Sequence, residues 1–346
     1  MIGGATVQKS LATNTTSPRR IFLAVIGVAT LVFGAYMVPS KFTVRYSMPE
    51  KATWWIAPSM LATKWGYFRQ ERVNLEDSYW PTGRRALRAL MDQQSDIAYA
   101  AAPPITTLAY HNEPVLVLAQ TMSSRSIVHL LPNAKHVDDW YHYPIGLARG
   151  TISEFYLIAH LIKIGKLDLY KKGEITLVDR PNVEANFITL MQNTTQSIVL
   201  FEPFASVVTM GGGENHMFTE RTDPTVYKVN CFIVTTPLMW ESNREAILRT
   251  LAAIRRSSNE IMADPPKAWD DVRPMLAYGE NAEVWGNRDW KNVDFNLITD
   301  KDTIRKNLMQ DIEIGMQGGL YKNIPNLDPV LSVIDEVDAY MRERGL

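Results

Sequence analysis

The chain has 346 residues, of which 46% are apolar and 21% are charged, so it is long enough for one large core or for two domains. Its 36 lysines and arginines almost balance its 37 aspartates and glutamates, and this balance argues against a strongly basic nucleic-acid-binding protein. A single cysteine, Cys231, excludes an internal disulfide and a thiolate metal cluster.

The N-terminus carries an export signal. Residues 1–20 are polar and contain Lys9, Arg19 and Arg20 but no acidic residue, and residues 21–38 follow without a charge. At about 1.5 Å per residue, the apolar segment is roughly 27 Å long as a helix, close to the hydrocarbon thickness of a bilayer. We predict a cytoplasmic tail over 1–20 and a signal anchor, a transmembrane helix, over 21–38. A cleaved signal peptide, and either general or twin-arginine export, remain open.

Beyond this segment, short apolar runs alternate with stretches of helical period, which favours an α/β fold with sheets covered on both faces. The predicted strands are 52–56, 73–79, 97–100, 115–120, 127–131, 145–148, 175–178, 197–201 and 228–235. The predicted helices between them include 59–70, 84–92 and 151–164. From about residue 237 the chain is mostly helical, with amphipathic stripes over 244–262, 303–316 and 329–344.

Two predicted helices begin with signals that also suit ligand binding. Thr82 is a candidate N-cap, and Gly83 allows close approach to the backbone. Thr151 and Glu154 have the spacing of a capping box. In open α/β sheets ligands bind beyond the carboxyl ends of strands, where helix N-termini offer free N–H groups to an anion. Capping alone also explains these residues, so both readings stay open.

Other candidate ligand contacts are aromatic or polar. Five aromatic residues lie at or near predicted strand ends, where one or two of them can stack on a flat solute while the others pack in the core: Trp54, Trp55, Tyr79, Trp80 and Tyr99. Thr121 lies in the polar loop after 115–119, near Arg125. Arg125 or Arg84 could contact a carboxylate or sulfonate, although a solvated surface arginine is the simpler reading. The six histidines lack metal-binding spacing, so we predict neither a metal site nor a cofactor.

Several motifs resemble those of the nitrate/sulfonate/taurine family of ABC-transporter solute receptors, which also includes pyrimidine-precursor-binding proteins. The motifs occur in the order and spacing of that family from about residue 52 to residue 275. They are Trp65-Gly66-Tyr67-Phe68, Thr82-Gly83, Asp96-Ile97-Ala98 with Ala101-Ala102-Pro103-Pro104, Gly146 to Thr151, Pro181 to Ala185, and Phe201-Glu202-Pro203-Phe204. Tyr99 stands where many relatives have glycine, and Phe201 replaces the more common tryptophan. Because of these departures, the resemblance does not identify the ligand.

The resemblance implies a type II periplasmic-binding-protein fold with two lobes and a double hinge. Lobe 1 would comprise 44–128 and 230–346, and lobe 2 would comprise 129–229. It adds Ala101, Gly150 and Glu202 to the candidate ligand contacts, although Glu202 could instead cap the helix after it.

The function implied is that of a receptor for a small anion or heterocycle in the periplasm. It would be anchored in the inner membrane through 21–38, would dock on permease and ATPase subunits, and would not be an enzyme. A membrane-tethered solute sensor is one alternative. A pyrimidine-precursor synthase of the same fold is another, but it would need an iron site rich in cysteine, and the chain has one cysteine.

Overall fold

The computed structural model describes residues 41–49, 53–180, 183–192, 194–210, 223–277, 283, 286–287 and 289–346. From Lys41 onward these residues form one compact unit. The predicted tail and membrane span, 1–20 and 21–38, lie outside the described residues. Among the helices that are described, none combines the length and the apolar character needed to cross a membrane.

Two mixed sheets organise the chain, and we call each sheet with its helices a lobe. The sheet of lobe 1 has the strand order β2-β1-β3-β9-β4, in which β1, β2 and β3 run parallel and β9 is antiparallel to both of its neighbours. Its strands are β1 (Phe42–Pro49), β2 (Val73–Trp80), β3 (Ile97–Ala101), β4 (Leu116–Ser124) and β9 (Val229–Thr235). Every residue of β4 and β9 is buried, as expected for strands covered on both faces.

The sheet of lobe 2 has the order β5-β8-β6-β7, with β6, β7 and β8 parallel and β5 antiparallel to β8. Its strands are β5 (Val128–Pro132), β6 (Ile145–Leu147), β7 (Leu177–Asp179) and β8 (Ser197–Phe201). Alternation along β8 sends Val199 into the main core, while Ile198 and Leu200 join a second apolar cluster on the other face of the sheet. The chain leaves the first sheet after Ser124 and rejoins it at Val229.

Helices cover both sheets. The first seven are α1 (Ala57–Lys64), α2 (Tyr67–Gln70), α3 (Gly83–Met91), α4 (Ala102–Tyr110), α5 (Ile152–Lys163), α6 (Leu167–Lys171) and α7 (Val183–Met191). They are followed by α8 (Phe204–Met210), α9 (Pro237–Ala263), α10 (Pro265–Val272), α11 (Lys301–Gly318) and α12 (Ile334–Glu343). Helix α11 packs against α4 of lobe 1 and also against α5 of lobe 2.

The structure corrects three sequence predictions. The predicted strand 52–56 is a short 3-10 helix, Trp54–Ile56, that leads directly into α1, and the strand that precedes it is β1. The predicted helix 59–70 is two helices, because Gly66 adopts a left-handed conformation with φ of 79°. The predicted helix 329–344 begins only at Ile334, after a run of turns.

A buried carboxylate joins distant parts of lobe 1. The side chain of Glu71, 1% exposed, receives two hydrogen bonds from Arg344, at 2.7 and 2.9 Å. Arg256 lies 3.2 Å and Arg249 3.9 Å from the same carboxylate. Glu71 follows α2, Arg249 and Arg256 belong to α9, and Arg344 follows α12, so one carboxylate ties three segments together.

We expect Glu71→Gln to lower the free energy of unfolding by about 2 kcal/mol, because it removes the buried carboxylate charge that three partly buried arginines share. Chemical denaturation of both proteins measures this change. The matched control is Glu245→Gln, since Glu245 is half exposed and pairs with Arg249 one helical turn away. That substitution should cost about 0.5 kcal/mol or less. Equal effects of the two substitutions would contradict a structural role for the buried network.

A second buried acid lies on α11. The Asp311 side chain is fully buried, and its Oδ1 accepts a 2.5 Å hydrogen bond from the Tyr227 hydroxyl. Its Oδ2 has no hydrogen-bond partner among the described residues. Burial raises the pKa of Asp311 from 3.8 to about 8, although the bond from Tyr227 acts in the opposite direction. Tyr227 lies two residues before β9, where the chain returns to the first sheet.

The raised pKa of Asp311 predicts a pH dependence of stability. Between about pH 4 and pH 8 the folded state holds a proton that the unfolded chain has lost, so stability falls as the pH rises through this window. Asp311→Asn removes this ionisation and keeps an acceptor for Tyr227. We expect its melting temperature, relative to wild type, to be several degrees higher at pH 9 than at pH 4. Glu313→Gln on the exposed face of α11 should follow wild type at both pH values.

Candidate functional site

The candidate site is a cavity at which the carboxyl ends of parallel strands from both lobes meet. In lobe 1, β1, β2 and β3 end at Pro49, Trp80 and Ala101, and β2 and β3 lead directly towards α3 and α4. In lobe 2, β6 leads to α5 and β8 ends at Phe201. The free strand ends of an open α/β sheet are where ligands bind, and here two such edges face one another.

The cavity is lined by residues of both lobes, and the space that water centres can occupy inside it is about 60 Å³. This is several times the minimum for one water molecule, so the cavity can hold a small solute. Its lining is mostly apolar. It comprises Pro49, Thr53, Trp55, Pro81, Thr82, Gly83, Arg84, Tyr99, Ala101 and Pro104 from lobe 1, and Ala148, Thr151, Ile152, Ser153, Asn186, Val199, Leu200 and Phe201 from lobe 2.

Trp55 connects the two lobes. Its indole Nε1 donates a 2.9 Å hydrogen bond to the backbone carbonyl of Glu202, and its ring packs edge-on against Phe201 with centroids 5.1 Å apart. The Tyr99 hydroxyl in turn donates to the backbone carbonyl of Trp55 at 2.9 Å, which fixes the start of the 3-10 helix. Burial raises the pKa of Tyr99 well above its ordinary value, so its hydroxyl remains a donor at neutral pH.

Two helix starts supply polar groups from opposite lobes. Thr82 caps α3, because its Oγ1 accepts from the Arg85 N–H at 3.3 Å. Thr151 caps α5 by accepting from the Ser153 N–H at 3.3 Å, while its hydroxyl donates to the Ala148 carbonyl at 2.7 Å. Both threonines are 8% exposed and line the cavity. Capping and cavity lining therefore occur together at these positions.

The structure brings six of the ten predicted site residues to the cavity wall, namely Trp55, Thr82, Gly83, Tyr99, Ala101 and Thr151. Trp54 is fully buried behind Trp55, with ring centroids 5.3 Å apart. Thr121 lies within β4, and its hydroxyl contacts the Cys231 carbonyl at 3.4 Å. Gly150 lies in a groove outside the cavity.

Glu202 contributes its backbone, not its carboxylate, to the contact between the lobes. Its side chain is 1% exposed, with Oε1 3.1 Å from His129 Nε2 and Oε2 accepting from the Ser206 N–H at 3.2 Å. The carboxylate therefore caps α8, as in the alternative sequence reading. Arg125 lies elsewhere, in a groove near the chain crossings, where it donates to the Pro224 carbonyl.

Sequence reasoning did not select several of the lining residues. Asn186 directly follows the quoted motif Pro181 to Ala185, and Ser153 lies just inside the helix after the motif Gly146 to Thr151, so their positions were available as a signal. Phe201 was quoted within a motif, as a replacement for the more common tryptophan, but was not selected as a ligand contact. Thr53 and Val199 carried no signal, because only the folded chain places them at the cavity.

No protein-family model matches the chain, and no curated protein matches it by sequence. Solved structures do match. The alkanesulfonate-binding protein SsuA from Xanthomonas axonopodis pv. citri, bound to MOPS, gives a TM-score of 0.65 at 13% identity over 85% of this chain and 98% of that chain. SsuA from Escherichia coli, an aliphatic sulphonate-binding protein, gives 0.64 at 12% identity over 84% and 91%. The nitrate-binding protein NrtA from Synechocystis PCC 6803 gives 0.63 at 11% identity over 88% of each chain.

The chain has a periplasmic-binding-protein fold. The fold implied by the sequence motifs is confirmed by these structural neighbours, which are binding proteins for sulfonates and nitrate. At 11–13% identity the likeness establishes the fold and leaves the ligand to the chemistry of the cavity.

We expect Trp55→Phe to weaken binding of any solute that the cavity holds by about 3- to 10-fold, since it removes one buried hydrogen bond between the lobes. Isothermal titration measures this change. Trp65→Phe is the matched control, because the Trp65 indole donates to Asp271 within lobe 1 at 3.0 Å, and that substitution should leave affinity unchanged. Equal losses of affinity in the two variants would contradict a specific role for Trp55.

Proposed function

We propose that this chain is the solute-binding receptor of an ABC importer, and that it captures a small organic or inorganic anion or a small heterocycle without transforming it. The observation that carries the proposal is the cavity between the lobes, to which both sheets contribute strand ends and helix starts. The structural neighbours, which are solute-binding proteins, support it.

The geometry suits capture by closure. The polar groups of Thr82, Thr151 and Ser153 lie in a lining that is otherwise mostly apolar, so a solute that bonds to both lobes favours the closed arrangement. In this proposal the ligand contacts are the six predicted residues that line the cavity, with Asn186 and Phe201 added. Lobe 1 comprises 44–128 and 230–346, lobe 2 comprises 129–229, and the lobes rotate about the two chain crossings.

The proposed partners are the permease and ATPase subunits of the importer. The proposed location is the periplasmic side of the inner membrane, with 21–38 as the anchor unless that segment is cleaved. A tethered sensor would use the same cavity but a signalling partner. A cysteine-dependent enzyme is disfavoured because Cys231 is fully buried and burial raises the pKa of its thiol to about 12, so it is not a thiolate nucleophile at neutral pH.

A solute screen tests the proposal. The panel comprises taurine, methanesulfonate, nitrate, bicarbonate, benzoate and a thiamine-precursor pyrimidine, with melting temperature and titration calorimetry as readouts. We expect at least one member to bind with a submicromolar Kd, roughly −8 to −11 kcal/mol. Mass spectrometry of the purified protein would identify any solute that it carries. A folded protein that binds none of the panel and carries no solute would refute the proposal, and turnover of a bound solute would favour the enzyme.

Two matched substitutions test whether the solute binds in the cavity. Thr151→Ala and Thr236→Ala each remove an N-cap threonine that is 8% exposed, at the starts of α5 and α9 respectively. Both should lower stability by about 1 kcal/mol. Only Thr151→Ala should weaken solute binding, because Thr236 does not line the cavity. Equal affinities for the solute in the two variants would place the binding site elsewhere.

A further inference from the structure

A hydrogen bond crosses the mouth of the cavity. Arg84, the second residue of α3 in lobe 1, donates from Nη1 to the backbone carbonyl of Arg149 in lobe 2 at 2.9 Å. Arg84 lines both the inner cavity and an outer groove, which also contains Gly150 and has about 390 Å³ of space for water centres. The guanidinium therefore stands between the enclosed solute space and bulk water.

The turn at Arg149, whose carbonyl accepts the bond from Arg84, is held in place by two carboxylates. The Glu154 carboxylate, 4% exposed, accepts from the Gly150 N–H at 2.7 Å and lies 3.3 Å from the Arg149 Nε. The Asp179 carboxylate accepts from the Arg149 N–H at 3.0 Å. These contacts hold the peptide groups on both sides of the Arg149 α-carbon and thereby place its carbonyl in front of Arg84.

Gly150 makes room for the guanidinium. It has a φ of 69°, which side chains rarely adopt, and a β-carbon built there would lie 3.3 Å from Arg84 Nη1. Any larger residue would crowd the arginine and strain the turn. Both the positive φ and the close approach of the Arg84 guanidinium therefore favour glycine at position 150.

The charge of Arg84 has no counter-charge within the described part of the chain. Arg88 on the same helix pairs with Asp92 at 3.0 Å, and Arg149 pairs with Glu154. Arg84 instead donates to a neutral carbonyl, and it is the one charged side chain among the described residues that line the cavity. In the outer groove Arg85 adds a second positive charge beside Arg84, whereas Arg88 is paired with Asp92 and Glu113 supplies one negative charge.

We propose that Arg84 is a latch that couples the charge of the solute to closure of the lobes. One guanidinium bridges to lobe 2 through the Arg149 carbonyl, and its uncompensated charge favours a solute that carries a negative group at the mouth end of the cavity. This inference rests on the proposed receptor function and specifies the residue by which that receptor would select anions. A carboxylate, sulfonate or similar oxyanion accepts two parallel bonds from arginine.

The affinity test compares Arg84→Gln, Arg84→Lys and the control Arg85→Gln, which removes a neighbouring charge outside the cavity. The probes are methanesulfonate with its neutral counterpart dimethyl sulfone, and benzoate with benzamide. For whichever anion binds, Arg84→Gln should weaken binding by about 10- to 100-fold. Arg84→Lys should recover part of that loss, and Arg85→Gln should stay within about twofold. An equal loss for the charged and the neutral probe would overturn selection by charge.

The closure test does not depend on the identity of the solute. Spin labels at Gln94→Cys in lobe 1 and Lys172→Cys in lobe 2 occupy exposed positions, whereas the native Cys231 is fully buried. Without solute, Arg84→Gln and Gly150→Ala should both shift the distance distribution towards the open form relative to wild type and Arg85→Gln. Unchanged distributions in both variants would overturn the latch. If no probe binds, the receptor proposal fails, and the distances still decide whether Arg84 holds the lobes together.

Discussion

The hydrogen bond from the Trp55 indole to the Glu202 carbonyl is the contact on which the site depends, because it joins the ends of the two sheets inside a water-poor gap. A buried carbonyl or indole without a partner costs about 1–3 kcal/mol, so the lobes separate readily only when water can replace the lost bond. Tyr99 fixes Trp55 from within lobe 1, and Phe201 packs against its ring from lobe 2.

Lobe 1 is strongly braced internally and α11 packs against helices of both lobes, whereas few direct hydrogen bonds cross the cavity itself. Within lobe 1, Glu71 ties three segments together through buried charge, and Asp311 holds Tyr227 beside the returning chain. Across the cavity the direct hydrogen bonds described above are those of Trp55 and Arg84, and each ends on a backbone carbonyl. A carbonyl acceptor is supplied by any residue, so the geometry of the turn, rather than the identity of a side chain, decides whether these bonds form.

Local signals in the sequence predicted local structure well. Thr82 and Thr151 cap the helices that their spacing predicted, since an N-cap depends only on residues two or three positions apart. The run 52–56 was mistaken for a strand because an apolar run of five residues has no period that separates strand from helix. Trp54 and Tyr99 looked alike as candidates, yet one lies behind the cavity and the other in its wall, and only the packing of neighbouring segments separates them.

The sequence by itself determined the α/β alternation, the positions of the helix starts, and the resemblance that led to a periplasmic-binding-protein fold, because each depends on short-range pattern and order. Only the tertiary structure decided that the Glu202 carboxylate turns to His129 and Ser206 while its carbonyl meets Trp55. It also decided that Arg84 faces the Arg149 carbonyl and Gly150, residues more than sixty positions away. Contacts between lobes arise from packing of segments distant in the chain, and no local pattern encodes which atom of a residue will reach the other side.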